Sequence, residues 1–172
     1  DDEQEGFGAS LVYLGRDPNG IGGGEIEATT ELFAKVRPFV RYFHSSKYID
    51  DLANGEICVA MGYNGDVMQA RDRAAEAANG TEVAFFIPKE GALRWIDSAA
   101  IPADAPHIDN AQVFLNFLMR PDVIAPISNF VSFASANAAA KPLVEESVRN
   151  NPGIYPAPEV LGRLVDPKKL PD

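Results

Sequence analysis

Apolar positions recur along this chain with two periods, and the switches between them outline its elements. Phe7, Leu11 and Leu14 fall at helical spacing and predict a first helix. The breaker run Asp17-Pro18-Asn19-Gly20-Ile21-Gly22-Gly23-Gly24 then predicts an exposed, flexible loop. Ile26, Leu32, Phe33 and Val36 mark a second helix over 25–37, which stops before Pro38. Phe39 to Phe43 reads as a short strand, and Tyr48 to Ala53 as one or two helical turns closed by Asn54-Gly55. Ile57 to Met61 has the length and β-branched content of a buried strand, with Cys58 as core within it. A polar, alanine-rich helix follows from Asp66 to Ala78 and stops at Asn79-Gly80.

The pattern then turns to β. Val83 to Ile87 is an apolar run ending at Pro88, and the segment around Trp95 reads as the next strand. Ala111, Phe114, Leu115 and Leu118 mark an amphipathic helix; Val123, Ile127, Phe130 and Val131 mark another, with Pro121 as its first residue. From Ala138 to Asp172, short helical stretches alternate with Pro152, Pro156, Pro158, Pro167 and Pro171. Strands interspersed with helices predict an α/β protein. The opening residues Asp1 to Glu5 contain no initiator Met and run straight into a helical pattern, so the chain is expected to start inside a longer protein.

Two acids set among apolar and aromatic residues change the picture. Asp66 follows Gly62-Tyr63-Asn64-Gly65, and Asp97 lies in Leu93-Arg94-Trp95-Ile96-Asp97-Ser98-Ala99-Ala100-Ile101. On a strand the second segment sets Leu93, Trp95, Asp97, Ala99 and Ile101 on one face, which is a costly setting for a lone carboxylate. Acids beside aromatic rings suit a cation: carboxylates accept its N–H bonds and ring quadrupoles attract its charge. Asp66 has a competing role as cap of an Asp-x-x-Gln box with Gln69. Asp97 has one as a partner of Arg73 or Arg94, although Arg94 points to the opposite strand face. Tyr63, Trp95 and Phe133 would ordinarily be core rings, but their setting, with Tyr63 three residues before Asp66, Trp95 on the strand face of Asp97 and Phe133 in a small, polar run, favours walls of a pocket.

Charge narrows the partners. Lys+Arg of 15 against Asp+Glu of 25 leaves a net charge of −10, which argues against nucleic acid or an anionic membrane. The glycine run follows a helix and lacks a Lys-Ser/Thr ending, which disfavours a phosphate loop. His44 and His107 are isolated, and no zinc or calcium ligand spacing occurs, so neither metal nor cofactor is expected. Asp66 and Asp97 as an acid/base pair would make an enzyme, but no nucleophile–base unit accompanies them.

Longer runs carry a family likeness. They are Val40 to Ile49, Asp51 to Ala60, Ile87 to Ala92, Phe114 to Val123, and Asn151 to Pro156. In these the chain resembles the putrescine/spermidine-binding periplasmic proteins of polyamine ABC transporters, nearest the putrescine-binding branch. The resemblance implies a periplasmic binding protein of type II, two-lobed and α/β, of which this chain is the C-terminal portion. Residues 1–82 then belong to the second lobe, 83–137 to a return segment of the first, and 138–172 return to the second. It also implies a non-enzymatic receptor that binds a polyamine in the periplasm and delivers it to an ABC permease, its one link to the membrane. Asp66 and Asp97 match the acids that hold one ammonium head, and Tyr63, Trp95 and Phe133 the aromatic walls. Gln4 falls where relatives can carry an acid for the distal amine, and Cys58 where an upstream cysteine can pair. A sensor-type receptor for another cationic amine is the alternative.

Overall fold

The computed structural model describes residues 2–20 and 22–168, so the readings that touch Asp1, Ile21, Pro171 and Asp172 lie outside it. Helix α1 spans Glu3–Tyr13 and is capped by Asp2, whose carboxylate accepts the Glu5 N–H at 3.0 Å. Helix α2 runs over Gly23–Val36, taking in two of the glycines assigned to the loop, and a 3-10 turn at Arg37–Phe39 continues it. That turn absorbs Phe39, the first residue of the expected strand. Helix α3 covers Lys47–Ala53 and α4 covers Asn64–Ala77; their mutual packing is the broadest contact between elements. Helices α5 (Ile108–Leu118) and α6 (Pro121–Val131) lie where their apolar periodicity sets them, with Pro121 opening α6. Two short helices, α7 at Glu146–Arg149 and α8 at Pro158–Leu161, punctuate the proline-rich tail.

The strands depart from the sequence reading. Among the described residues the sheet consists of β1 (Ala92–Leu93) and β2 (Leu164–Val165), paired in parallel with Ala92 opposite Leu164. The Arg94 N–H extends the ladder to the Val165 carbonyl at 2.9 Å, and its guanidinium forms a fork with Asp166, both bonds 2.7 Å. Residues 40–43, 57–61 and 83–87 belong to no strand ladder. Apolar, β-branched content fitted them for strands, but a strand needs an edge to bond with, and the described residues provide none. Val59, Met61 and Phe86 are 84%, 64% and 76% exposed, and Cys58 is exposed rather than core.

Burial is therefore local. One cluster joins Ala53 with Ala70 and Ala74 between α3 and α4, backed by Ile49, Leu52 and Val83; another joins Ala125, Ala140 and Val144. The chain exposes 11676 Å², where a compact monomer of its mass exposes about 8,200 Å². Unpaired extended segments and the uncovered apolar face of α5, with Val113, Phe114 and Phe117 all exposed, account for much of the surplus. No helix among the described residues is long and apolar enough to cross a membrane.

Candidate functional site

Helix α4 carries Asp66 in its first turn. Its cap is Tyr63, and Asp66 occupies the third helical position, so Asp66 is not the cap that an Asp-x-x-Gln box requires. Its carboxylate instead accepts a hydrogen bond from the Tyr48 hydroxyl at 2.7 Å. The first turn of a helix also favours a negative charge through the backbone dipoles. Two glycines let aromatic rings press onto this turn. A Cβ on Gly62 would stand 2.3 Å from Tyr48 Cε2, and one on Gly65 would stand 2.4 Å from Phe133 Cε2. Both positions therefore need glycine for close approach. Phe133 is thus seated against Gly65, and its carbonyl accepts the Ser128 hydroxyl.

Tyr63 gathers the other acids. Its hydroxyl donates to Glu5 on α1, and the charges that weigh on it most are Glu5, Asp2 and Asp97. Burial, then the bond to Glu5, then this negative surround push the Tyr63 phenol well above its ordinary pKa. Burial and the Asp66 hydrogen bond do the same to Tyr48. Both phenols consequently remain protonated donors throughout the neutral range.

Asp97 is exposed and makes no hydrogen bond or ion pair among the described residues. The arginines considered as its partners are engaged elsewhere, Arg94 with Asp166 and Arg73 with Asp50. Trp95 is 41% exposed and takes part in no ring pair among the described residues. The row from Leu93 to Ile101 expected on one strand face does not form as a ladder, because β1 ends at Leu93. Gln4 lies apart from the acids, its amide donating to the Lys168 carbonyl at 3.1 Å.

Sequence reasoning missed Glu5 and Tyr48. For Glu5 a signal existed: Gln4 shares the helical stripe of Phe7 and Leu11, whereas Glu5 shares a face with Asp2, three residues away. For Tyr48 none existed, since only packing of α3 on α4 brings it to Asp66. His44 also finds a structural place, its Nδ1 accepting the N–H groups of Ser46 and Lys47 at 3.2 and 3.1 Å where α3 begins. No group of three or more His, Cys, Asp or Glu among the described residues is arranged to hold a metal ion. Two phenols thus each hold an acid near the start of α4, Tyr63 bonding Glu5 and Tyr48 bonding Asp66.

The chain matches known proteins along most of its length. It is 54% identical over 165 residues to the putrescine-binding periplasmic protein PotF of Escherichia coli, covering 95% of this chain and 45% of that protein. Identity to the putrescine-binding periplasmic protein SpuD of Pseudomonas aeruginosa is 53%, over 95% of this chain and 44% of that one. To the spermidine/putrescine-binding periplasmic protein of Escherichia coli it is 34%, over 94% and 44%. The chain thus spans less than half the length of these relatives. Among solved structures, the spermidine/putrescine ABC transporter substrate-binding protein PotD of Streptococcus pneumoniae superposes with a TM-score of 0.80 at 22% identity, over 99% of this chain and 51% of that one. A chain from Listeria monocytogenes gives 0.81 at 23% identity, over 98% and 50%. These likenesses place the fold among the type II periplasmic binding proteins, with mixed α/β structure. The family described as bacterial extracellular solute-binding protein matches residues 2–156, and the chain belongs to it.

Proposed function

We propose that this chain is the C-terminal portion of a two-lobed periplasmic receptor that binds a polyamine, putrescine first, and hands it to an ABC-type importer. The observation that carries the reading is that Tyr63, bonded to Glu5 and in the negative field of Asp2 and Asp97, lies three residues before Asp66, whose carboxylate Tyr48 holds. The putrescine-binding relatives, more similar to this chain than the spermidine/putrescine-binding ones, support the choice of diamine. Residues 1–82 and 138–172 form one lobe and 83–137 contribute to the other, with β1 and β2 tying the middle segment to the tail. The unpaired segments at 40–43, 57–61 and 83–87 and the large exposed surface support a partner half that completes the sheets.

In this reading one ammonium head donates to Asp66 and Asp97, each charge-assisted bond contributing about 1.5–3 kcal/mol. Tyr63, Trp95 and Phe133 wall the cleft, each cation–π contact adding about 0.5–2 kcal/mol. Glu5 supplies the acid that Gln4, turned to Lys168, does not. The acids come from both lobes, so the guest stabilises the closed form that a permease recognises. Like the rest of its family the receptor holds its guest without converting it. The test is calorimetry with putrescine on the receptor containing this chain. Asp97→Asn should weaken binding about 10- to 100-fold, and undiminished affinity would overturn the assignment.

A further inference from the structure

We propose that Tyr48 is a positioning residue of the polyamine site, fixing the rotation of the Asp66 carboxylate so that one oxygen stays free for the ligand. The inference rests on the reading of Asp66 as an ammonium acceptor. Tyr48 lies on α3, is 5% exposed, and touches the site only through its hydroxyl and ring. The hydroxyl donates to Asp66 Oδ2 at 2.7 Å and accepts the Tyr63 N–H at 3.1 Å. That N–H belongs to the cap of α4 and lies outside the helical ladder, so Tyr48 also fixes the backbone at the first residue of the site.

Aspartate rotates broadly about its terminal torsion, so a carboxylate in an open cleft samples orientations that a ligand must narrow. A bond to Oδ2 removes that freedom before the ligand arrives, which is the benefit of preorganisation. It leaves Oδ1 with its lone pairs available. The Tyr63 N–H, by pointing at the phenol oxygen, strengthens the phenol as a donor to Asp66. The ring is held in turn by Gly62, where a side chain would collide with Cε2, Cζ and the hydroxyl at 2.3–2.8 Å. A backbone amide, a phenol and a carboxylate thus form one relay from α3 to the cleft.

A double-mutant cycle tests this by putrescine calorimetry on the receptor containing this chain. Tyr48→Phe keeps the ring and removes the hydroxyl, and should weaken binding about tenfold in the parent. In an Asp66→Asn background the same change should cost nothing further. Gly62→Ala, which displaces the ring but keeps the hydroxyl, should show the same dependence on Asp66 and serves if Tyr48→Phe does not fold. Equal losses in both backgrounds would make Tyr48 a general support of the fold and overturn the proposal. Unchanged binding by Tyr48→Phe, with a large loss for Asp66→Asn, would overturn it while leaving the receptor reading intact. Unchanged binding by Asp66→Asn would remove both.

Discussion

Alanine at position 65 sets two effects of opposite sign against each other, and the structure decides between them. Gly65 is the second residue of α4, where alanine is a better helix former by up to about 1 kcal/mol, less so in a first turn. The new methyl, however, would lie 2.4 Å from Phe133 Cε2 and 2.6 Å from Cδ2 and Cζ, against a comfortable carbon–carbon separation of about 3.5–4.0 Å. The ring is half-buried, which limits how far it can turn away. Its backbone is held by the Ser128 hydroxyl on the Phe133 carbonyl and by the left-handed Ser132 at φ 57°. Overpacking of this kind costs about 1–3 kcal/mol, so Gly65→Ala should lose about 1–2 kcal/mol and lower Tm by about 2–8 °C. Urea unfolding reads this as a lower midpoint at constant slope. In a Phe133→Ala background the methyl has no ring to meet, and the same substitution should be neutral or favourable. A Gly65→Ala protein as stable as its parent would refute the seating of Phe133 on this turn.

Two further expectations concern the whole fold. Ala78 ends α4 with φ 48°, a left-handed conformation that disfavours a side chain, so Ala78→Gly should raise stability by about 0.5–1 kcal/mol in the same urea assay; a lowered midpoint would contradict the cap. Stability should also fall at alkaline pH. Burial, with the Asp51 hydrogen bond second, pushes Tyr42 from 10.0 up to about 12, and Tyr48 and Tyr63 are raised too. Because the folded phenols hold protons that the unfolded chain releases, their contribution is complete below about pH 10 and is lost as pH rises towards the folded values. Asp51, lowered by Lys47 and then Tyr42, and Asp166, lowered by Arg94, act oppositely. Their contribution is present above about pH 4 and is lost as pH falls through the folded values. A urea midpoint that stays level from pH 9 to 12 would contradict the tyrosine assignments.

The helices were legible because amphipathic periodicity is a local property. Helices α1, α2, α5 and α6 arise where the apolar spacing sets them, and α4 where its polar, alanine-rich run lies, within a few residues at their ends. The strands were not, because a ladder is a property of pairs. Ile57 to Met61 has the composition of a buried strand, yet its fate depends on an edge that the described residues do not present. The ladder that does form joins residues 92–93 to 164–165, a separation that no local pattern encodes. The site divides in the same way. Asp66 was readable from its place at the opening of a helix. Its partner Tyr48, 18 residues earlier, follows only from the packing of α3 against α4. The resemblance points to Gln4, whereas the residue that meets Tyr63 is Glu5, about 100° further round the helix.

Charge is what makes the remaining arrangement intelligible as a receptor. Lys47 lies on α3, Arg73 on α4 and Arg94 next to β1. Each is already committed: Lys47 to Asp51 on its own helix, Arg73 to Asp50, and Arg94 to Asp166. Among the described residues Glu5, Asp66 and Asp97 form no ion pair, and the phenols near them donate hydrogen bonds but carry no positive charge. In the receptor proposed above, repulsion among these carboxylates would cost more as water leaves, because the local dielectric falls. A neutral solute would leave that cost in place and an anion would add to it. In the proposed reading a guest with positive charge removes it, and a diamine brings two such charges.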